Sequence, residues 1–202
     1  MATKIIGFID GENIVARYQD MVKKGRIPNK HVVHIPDVLV WAPRCTGGFY
    51  VDIARISFYQ TVVGDADRIN SVKESIRSIS YRYDESESAE GHGILQPRVF
   101  KKQSRSSKTK SVDINLTVDV MRHALSSTFE AVQIFGGDGD YLPLVEEVGR
   151  HGVQVWIYAF SSGLSQDLKN AADHFICLDE YFFLKQDAVQ KSEISKGDSA
   201  NA

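Results

Sequence analysis

The chain has 202 residues, 43% hydrophobic and 25% charged, which is the composition of an ordinary globular domain long enough for one full core. No run approaches the ~18 consecutive apolar residues that span a bilayer. Its two cysteines, Cys45 and Cys177, lack any CxxC or Cys/His spacing, which argues against a disulfide framework or a zinc site. The N-terminal MATKIIGFIDGENI is too short and too acidic for a secretory signal, so the expectation is a cytoplasmic protein that does not engage a membrane.

Residues 4–9 (KIIGFI) are apolar and rich in β-branched side chains, as a buried strand would be, and Asp10-Gly11 stops them. A helix is expected from about Glu12 to Lys23. Residues 24–50 carry six glycines and prolines and read as loop, with a short extended piece at 31–40. Residues 51–60 suggest a second strand, and a helix over 66–79 aligns Ile69, Val72, Ile76 and Ile79. Residues 82–94 are polar loop and contain an acidic patch, Asp84, Glu85, Glu87 and Glu90. A basic run follows over 98–110, with Arg98, Lys101, Lys102, Arg105, Lys108 and Lys110 and no acid. A second basic run holds Arg17, Lys23, Lys24, Arg26 and Lys30 against Asp20 alone. The next helix, over 112–125, spaces Ile114, Val118, Met121 and Leu125 as one apolar face, with Ser111 as its N-cap. Strand 131–136, helix 140–150, strand 153–159, helix 164–171 and strand 174–177 complete the pattern, and a polar tail from 186 to 202 reads as disordered.

Strands and helices that alternate in this way predict an α/β domain over 1–185 with a mainly parallel central sheet, in which 24–50 and 82–110 are loop-rich insertions. The runs IIGFI, AVQIF and VQVWIY suit strands covered on both faces. Ligands of such sheets bind outside the carboxyl ends of the strands, where the strand order reverses. Asp10 follows the first strand, and Asp138 and Asp140 follow the strand 131–136, so all three project from one edge. Asp113, which opens the helix after the basic run, can reach that edge too. Carboxylates that converge without positive partners repel one another unless a divalent cation sits among them, and oxygen donors select Mg²⁺ or Mn²⁺ over zinc. Such a centre suggests phosphodiester hydrolysis by an activated water.

Each acid also has a plainer reading. Asp10-Gly11 can be a turn, Asp138 or Asp140 can cap the next helix, Asp113 can answer the helix dipole, and the basic run can be a solvated loop. Asp119 lies six residues beyond Asp113, ~240° around the helix, and cannot share its face.

In order, FIDGENI, KSVDINLTVDVMRHA, IFGGDGDYLPLVEEVGRHGVQVWIY and LSQDLKNAADHFICL resemble the NYN domain of the PIN-like nuclease superfamily, in its LabA-like branch. The family's D-x-x-N is matched by Asp10 and Asn13. Its K-G-x-D with a further acid six residues on is matched by Lys110, Asp113 and Asp119, with Ser111 in place of the glycine. Its G-D-x-D is matched by Gly137, Asp138 and Asp140, and its closing S-x-x-L and A-D-x-F by Ser165, Leu168, Ala172, Asp173 and Phe175. The resemblance implies a three-layer, Rossmann-like PIN fold and a Mg²⁺- or Mn²⁺-dependent endoribonuclease. It implies that Asp10, Asp113 and Asp138 ligate the metal and that Asp140 ligates it or orients the water. Asn13 would position a water or phosphate, Asp119 would act from behind the ligands, and Lys110 would meet a phosphate. Lys101, Lys102, Arg105 and Lys108 would then contact the backbone of single-stranded RNA, and Tyr50, Tyr59, Tyr81 and Tyr83 are either base-stacking groups or core. Two-fold assembly is compatible with such a domain, and no sequence feature specifies it.

Two other classes stay open. A binding-only regulator of RNA or protein would keep the fold without the chemistry, although the intact acid set argues against lost activity. A small-molecule phosphatase would want a second aspartate at position 12, where the chain has Glu12. P-loop and dinucleotide enzymes are disfavoured, because neither glycine motif follows the first strand.

Overall fold

The structure, a computed structural model, describes residues 2–46, 51–82, 92–104, 110–126 and 128–185. The polar patch 84–90, Arg105, Lys108, Tyr50, Tyr83 and the tail from 186 lie outside the described residues.

The first strand, β1 (Thr3–Asp10), leads into α1 (Gly11–Lys23). A short antiparallel hairpin follows, β2 (Val33–Ile35) with β3 (Leu39–Trp41), then the long strand β4 (Val51–Val63) and α2 (Ala66–Arg77). Next come the paired β5 (Ser80–Arg82) and β6 (His92–Ile94), then β7 (Gln96–Lys102) and α3 (Ser111–Ala124). The second half runs β8 (Ala131–Phe135), a 3-10 turn at Gly139–Tyr141, α4 (Leu142–Arg150), β9 (Gln154–Ala159), α5 (Gln166–Ala171), β10 (His174–Cys177) and α6 (Asp179–Phe182).

Six strands form one sheet in the order β10-β9-β8-β1-β4-β7, every pair parallel. Side chains alternate across it. Ile5 and Ile9 of β1 enter a core shared with α1, α2, the hairpin and α6, whereas Ile6 and Phe8 enter a second core under α3, α4 and α5. These are the three layers expected of a PIN-like, Rossmann-type fold. Among the described residues no helix is long and apolar enough to cross a membrane.

Besides β6, which pairs with β5 inside a stretch expected to be loop, two elements differ from the expectation. Residues 96–102, read as part of a basic loop, are the edge strand β7, pairing Ser57–Val63 of β4. An edge strand is half solvated and tolerates proline and lysine, so QPRVFKK lacks the apolar run that marked the inner strands. Helix α3 forms as expected but turns a different face inward. Val112, Leu116, Val120 and Ala124 are buried, while Ile114, Val118 and Leu125 are exposed. The helix is apolar on two opposite sides, and periodicity alone does not choose between them. Nor does Ser111 cap it, since it is the first helical residue and the cap position falls to Lys110, which makes no side-chain capping bond.

Candidate active site

The chain enters the sheet at β1, builds outward through β4 to β7, and returns through α3 to β8 on the other side of β1. The order therefore reverses between β1 and β8, and their carboxyl ends frame the crevice where this class of sheet binds ligands. Asp10 is the last residue of β1. By the alternation of the strand it points to the same face as Ile6 and Phe8, toward α3. It is 4% exposed.

Asp10 also caps α1, accepting the Asn13 N–H at 3.0 Å. Its other oxygen accepts the Tyr141 hydroxyl at 2.9 Å, and the same hydroxyl lies 3.3 Å from Asp113 Oδ1. Tyr141 thus ties the end of β1 to the start of α3. Burial raises the Asp10 carboxyl from its ordinary 3.8 to about 6; the Asn13 and Tyr141 bonds oppose the rise, and the charges of Asp113 and Glu12 add to it. Burial also raises Asp113, opposed by the Tyr141 bond and reinforced by Asp138 and Glu12. Burial and the two carboxylates push the Tyr141 phenol far above its usual range, so it stays a donor.

A cavity of about 530 Å³ opens over this group and is lined by Asp10, Glu12, Asn13, Ala16, Arg17, Asp20, Asp113 and Asp138. The glycines of GGDGD let the surrounding segments close in. A side chain at Gly137 would press on Leu164 Cα at 3.2 Å and Ala159 Cβ at 3.3 Å, whereas one at Gly136 would make ordinary contact with Asp10 Cβ. The glycines thus serve close packing of the protein on itself. Asn13 Oδ1 accepts the Gly137 N–H at 3.3 Å and clamps α1 to the loop after β8.

Asp138 lines the cavity and caps the 3-10 turn through the Asp140 N–H, at 3.1 Å. Capping and site placement are therefore combined in one residue, as in Asp10. Asp140 does not line the cavity; it is exposed and lies 3.9 Å from the Lys110 ammonium. Asp119 is one step removed, accepting the Tyr59 hydroxyl at 2.7 Å and an Arg122 guanidinium N–H at 2.7 Å. Tyr59 and Tyr81 are buried in the cores and offer no stacking face. Lys101 is exposed at the end of β7, and Lys102 bonds Glu12 at 3.4 Å. Glu12 also accepts the Thr61 hydroxyl.

Sequence reasoning passed over three participants. Tyr141 directly follows GGDGD, and Glu12 sits inside DGEN. Arg17 lies one helical turn past Asn13 on the same face of α1, which a helical wheel exposes. Its guanidinium packs against Gly163, whose φ of 73° and missing side chain leave the room.

Mg²⁺ and Mn²⁺ fit this donor set by chemistry. All donors are oxygens, and the buried Asp10 carboxylate has no salt-bridge partner among the described residues. Those residues do not close a ready-made cage of three or more acidic, histidine or cysteine ligands. A strongly hydrated ion held by one or two carboxylates and its own waters does not require one.

A crystal structure of a protein of unknown function from Vibrio parahaemolyticus superposes with a TM-score of 0.61 over 91% of this chain and 97% of that one, at 18% identity, a likeness of fold. An uncharacterised protein of Methanocaldococcus jannaschii is 26% identical over 85 residues, 42% of this chain and 35% of that relative, so the match spans about a third of its length. The family description that matches is the NYN domain, aligned over residues 4–179 and so across every element from β1 to the start of α6. With that description matched over nearly its whole length, the chain belongs to the NYN domain family.

Proposed function

We propose that the protein is a metal-dependent ribonuclease of the LabA-like branch that cuts single-stranded RNA internally. The observation that carries the reading is a buried carboxylate, Asp10, gathered with Asp113 and Asp138 around one cavity at the reversal point of a parallel sheet. Asp10, Asp113 and Asp138 would hold Mg²⁺ or Mn²⁺. A divalent cation bound there would supply a water acidic enough to act as nucleophile and would offset charge on the phosphate. Tyr141 fixes the Asp10 and Asp113 carboxylates in mutual register, its one hydroxyl proton lying within hydrogen-bond reach of both. Asn13 holds the two acid-bearing segments together. Arg17 lines the same cavity, and its planar guanidinium fork would suit contact with a non-bridging oxygen of the scissile phosphate. Asp140, beside Lys110 at the rim, orients water or substrate. Lys110, Lys101 and Lys102 meet neighbouring phosphates, as do Arg105 and Lys108 from sequence. The free thiols of Cys45 and Cys177 suit a cytoplasmic setting.

Purified protein should cleave single-stranded RNA with Mn²⁺ or Mg²⁺, and Asp138→Asn should reduce cleavage by two orders of magnitude or more (~3 kcal/mol of transition-state stabilisation). Equal cleavage by wild type and variant would remove the assignment. The open arrangement of the acids favours one second reading, a binding-only regulator. Calorimetry separates the two, since the nuclease must take up Mn²⁺ and the regulator need not. A phosphatase is less well supported, because Glu12, two residues after Asp10, is engaged by Thr61 and Lys102.

A further inference from the structure

Beside the acidic cavity lies a larger one, of about 700 Å³. The two share Glu12, Ala16 and Asp20, so they adjoin across this one row of α1 side chains. Their chemistry differs. The acidic cavity carries five carboxylates and one cation, Arg17. The larger one has apolar walls from Val15, Val38 and Val62, and beside the carboxylates of Glu12, Asp20 and Asp37 it carries three cations, Lys23, Arg68 and Lys102. Lys102 pairs with Glu12 at 3.4 Å, whereas Lys23 and Arg68 have no salt-bridge partner among the described residues.

The far wall comes from the 24–50 segment, which the acid chemistry leaves without a role. At the tip of its hairpin Asp37 stands at φ 60°, a left-handed conformation uncommon for a residue with a side chain. Two hydrogen bonds hold it there: Gln19 Nε2 donates to Asp37 Oδ1, and the Asp37 N–H donates to Gln19 Oε1, each 3.1 Å. Gln60 Nε2 fixes the next residue by donating to the Val38 carbonyl at 2.9 Å. A strained residue persists only where its surroundings over-determine it. Here the strain shapes a cavity wall.

We infer that this cavity is a nucleotide subsite. It takes the base and ribose of one nucleotide of the RNA chain against its apolar walls, with Arg68 and Lys23 on that nucleotide's phosphate. The substrate class rests on the ribonuclease reading of the adjoining acids. The volume lies within the ~300–1,000 Å³ of small-ligand sites. A polyanion that crosses five carboxylates needs cations beyond them, and the larger cavity places Lys23 and Arg68 there. Because the two cavities adjoin, a nucleotide seated here sits next to a phosphate laid over Asp10 and Asp113.

The test uses the full chain in EDTA, where no metal supports turnover. The four ribonucleoside 5′-monophosphates are titrated by NMR, with inorganic phosphate and ribose 5-phosphate as controls. At least one nucleotide should bind about tenfold or more tighter than either control. Arg68→Glu, on an exposed residue, should weaken it about tenfold, and Gln19→Ala, which releases Asp37, by several-fold. Nucleotides that bind no tighter than the controls, or that ignore Arg68→Glu, overturn the subsite. RNA cleavage with Mn²⁺ is measured in parallel. Loss of the nuclease reading with Arg68-dependent nucleotide binding retained leaves the subsite standing, whereas cleavage with Arg68-indifferent binding removes the subsite alone.

Discussion

Asp10 is the residue at which folding and chemistry pull in opposite directions. Its carboxyl is buried beside two other acids, and the rise from 3.8 to about 6 corresponds to about 3 kcal/mol. The folded, cation-free protein holds this proton to a higher pH than the unfolded chain does. The stability that Asp10 contributes is therefore present in full below its ordinary 3.8 and is lost as pH rises through about 6. Asp10→Asn should accordingly stabilise the protein in EDTA at pH 7.5, by about 1–3 kcal/mol, and the advantage should shrink toward pH 4. Thermal melts at both pH values check this, and a variant less stable than wild type at pH 7.5 would refute it. Added Mn²⁺ should raise the melting temperature of wild type and leave that of Asp10→Asn unchanged. The acids themselves were legible in sequence because each stands at a strand or helix end. Tyr141 was not, because its role comes from a hydroxyl that reaches two carboxylates 131 and 28 residues away.

Helix α3 shows what periodicity can and cannot settle at the scale of an element. It spans 14 residues with two apolar stripes, and the sequence reading chose the one that the structure leaves in solvent. The buried stripe is flanked by Asp113 on one side and Asp119 on the other, and those two must reach Tyr141 and Tyr59. That requirement comes from residues on α4's flank and on β4, which no local pattern contains. Leu116→Ala should cost about 2–5 kcal/mol, whereas Val118→Ala should stay within about 0.5 kcal/mol. Chemical denaturation of the pair checks the inward face, and equal losses would contradict it. Strand β7 escaped notice for a related reason. Its pairing with β4 lies in the backbone, and its edge position permits the basic, proline-containing sequence that reads as loop.

For the whole molecule, the parallel sheet delivers its charges to one edge. The end of β7 brings Lys101 and Lys102 to the side where β1 ends in Asp10, although the chain's net charge is only −2. RNA binding should therefore weaken with salt despite the acidic balance, and each lysine that meets a phosphate contributes about 0.7 to the slope of log affinity against log salt. Lys101→Ala should lower the slope by about that amount in filter binding with Ca²⁺ present. An unchanged slope would place Lys101 off the RNA path.

The sequence by itself determined the layered α/β class, the inner strands and the acids at their ends, because parallel strands covered on both faces must be nearly continuous apolar runs and must stop at polar turns. Four motif blocks in order also determined the family. Only the tertiary structure decided which face of α3 is buried, that Asn13 clamps α1 to Gly137, that Asp138 rather than Asp140 lines the acidic cavity, and that the 24–50 hairpin walls a second cavity beside it. Each of these depends on contacts between segments far apart in the chain, whose partners are fixed by strand order and helix docking, and local patterning carries no record of either.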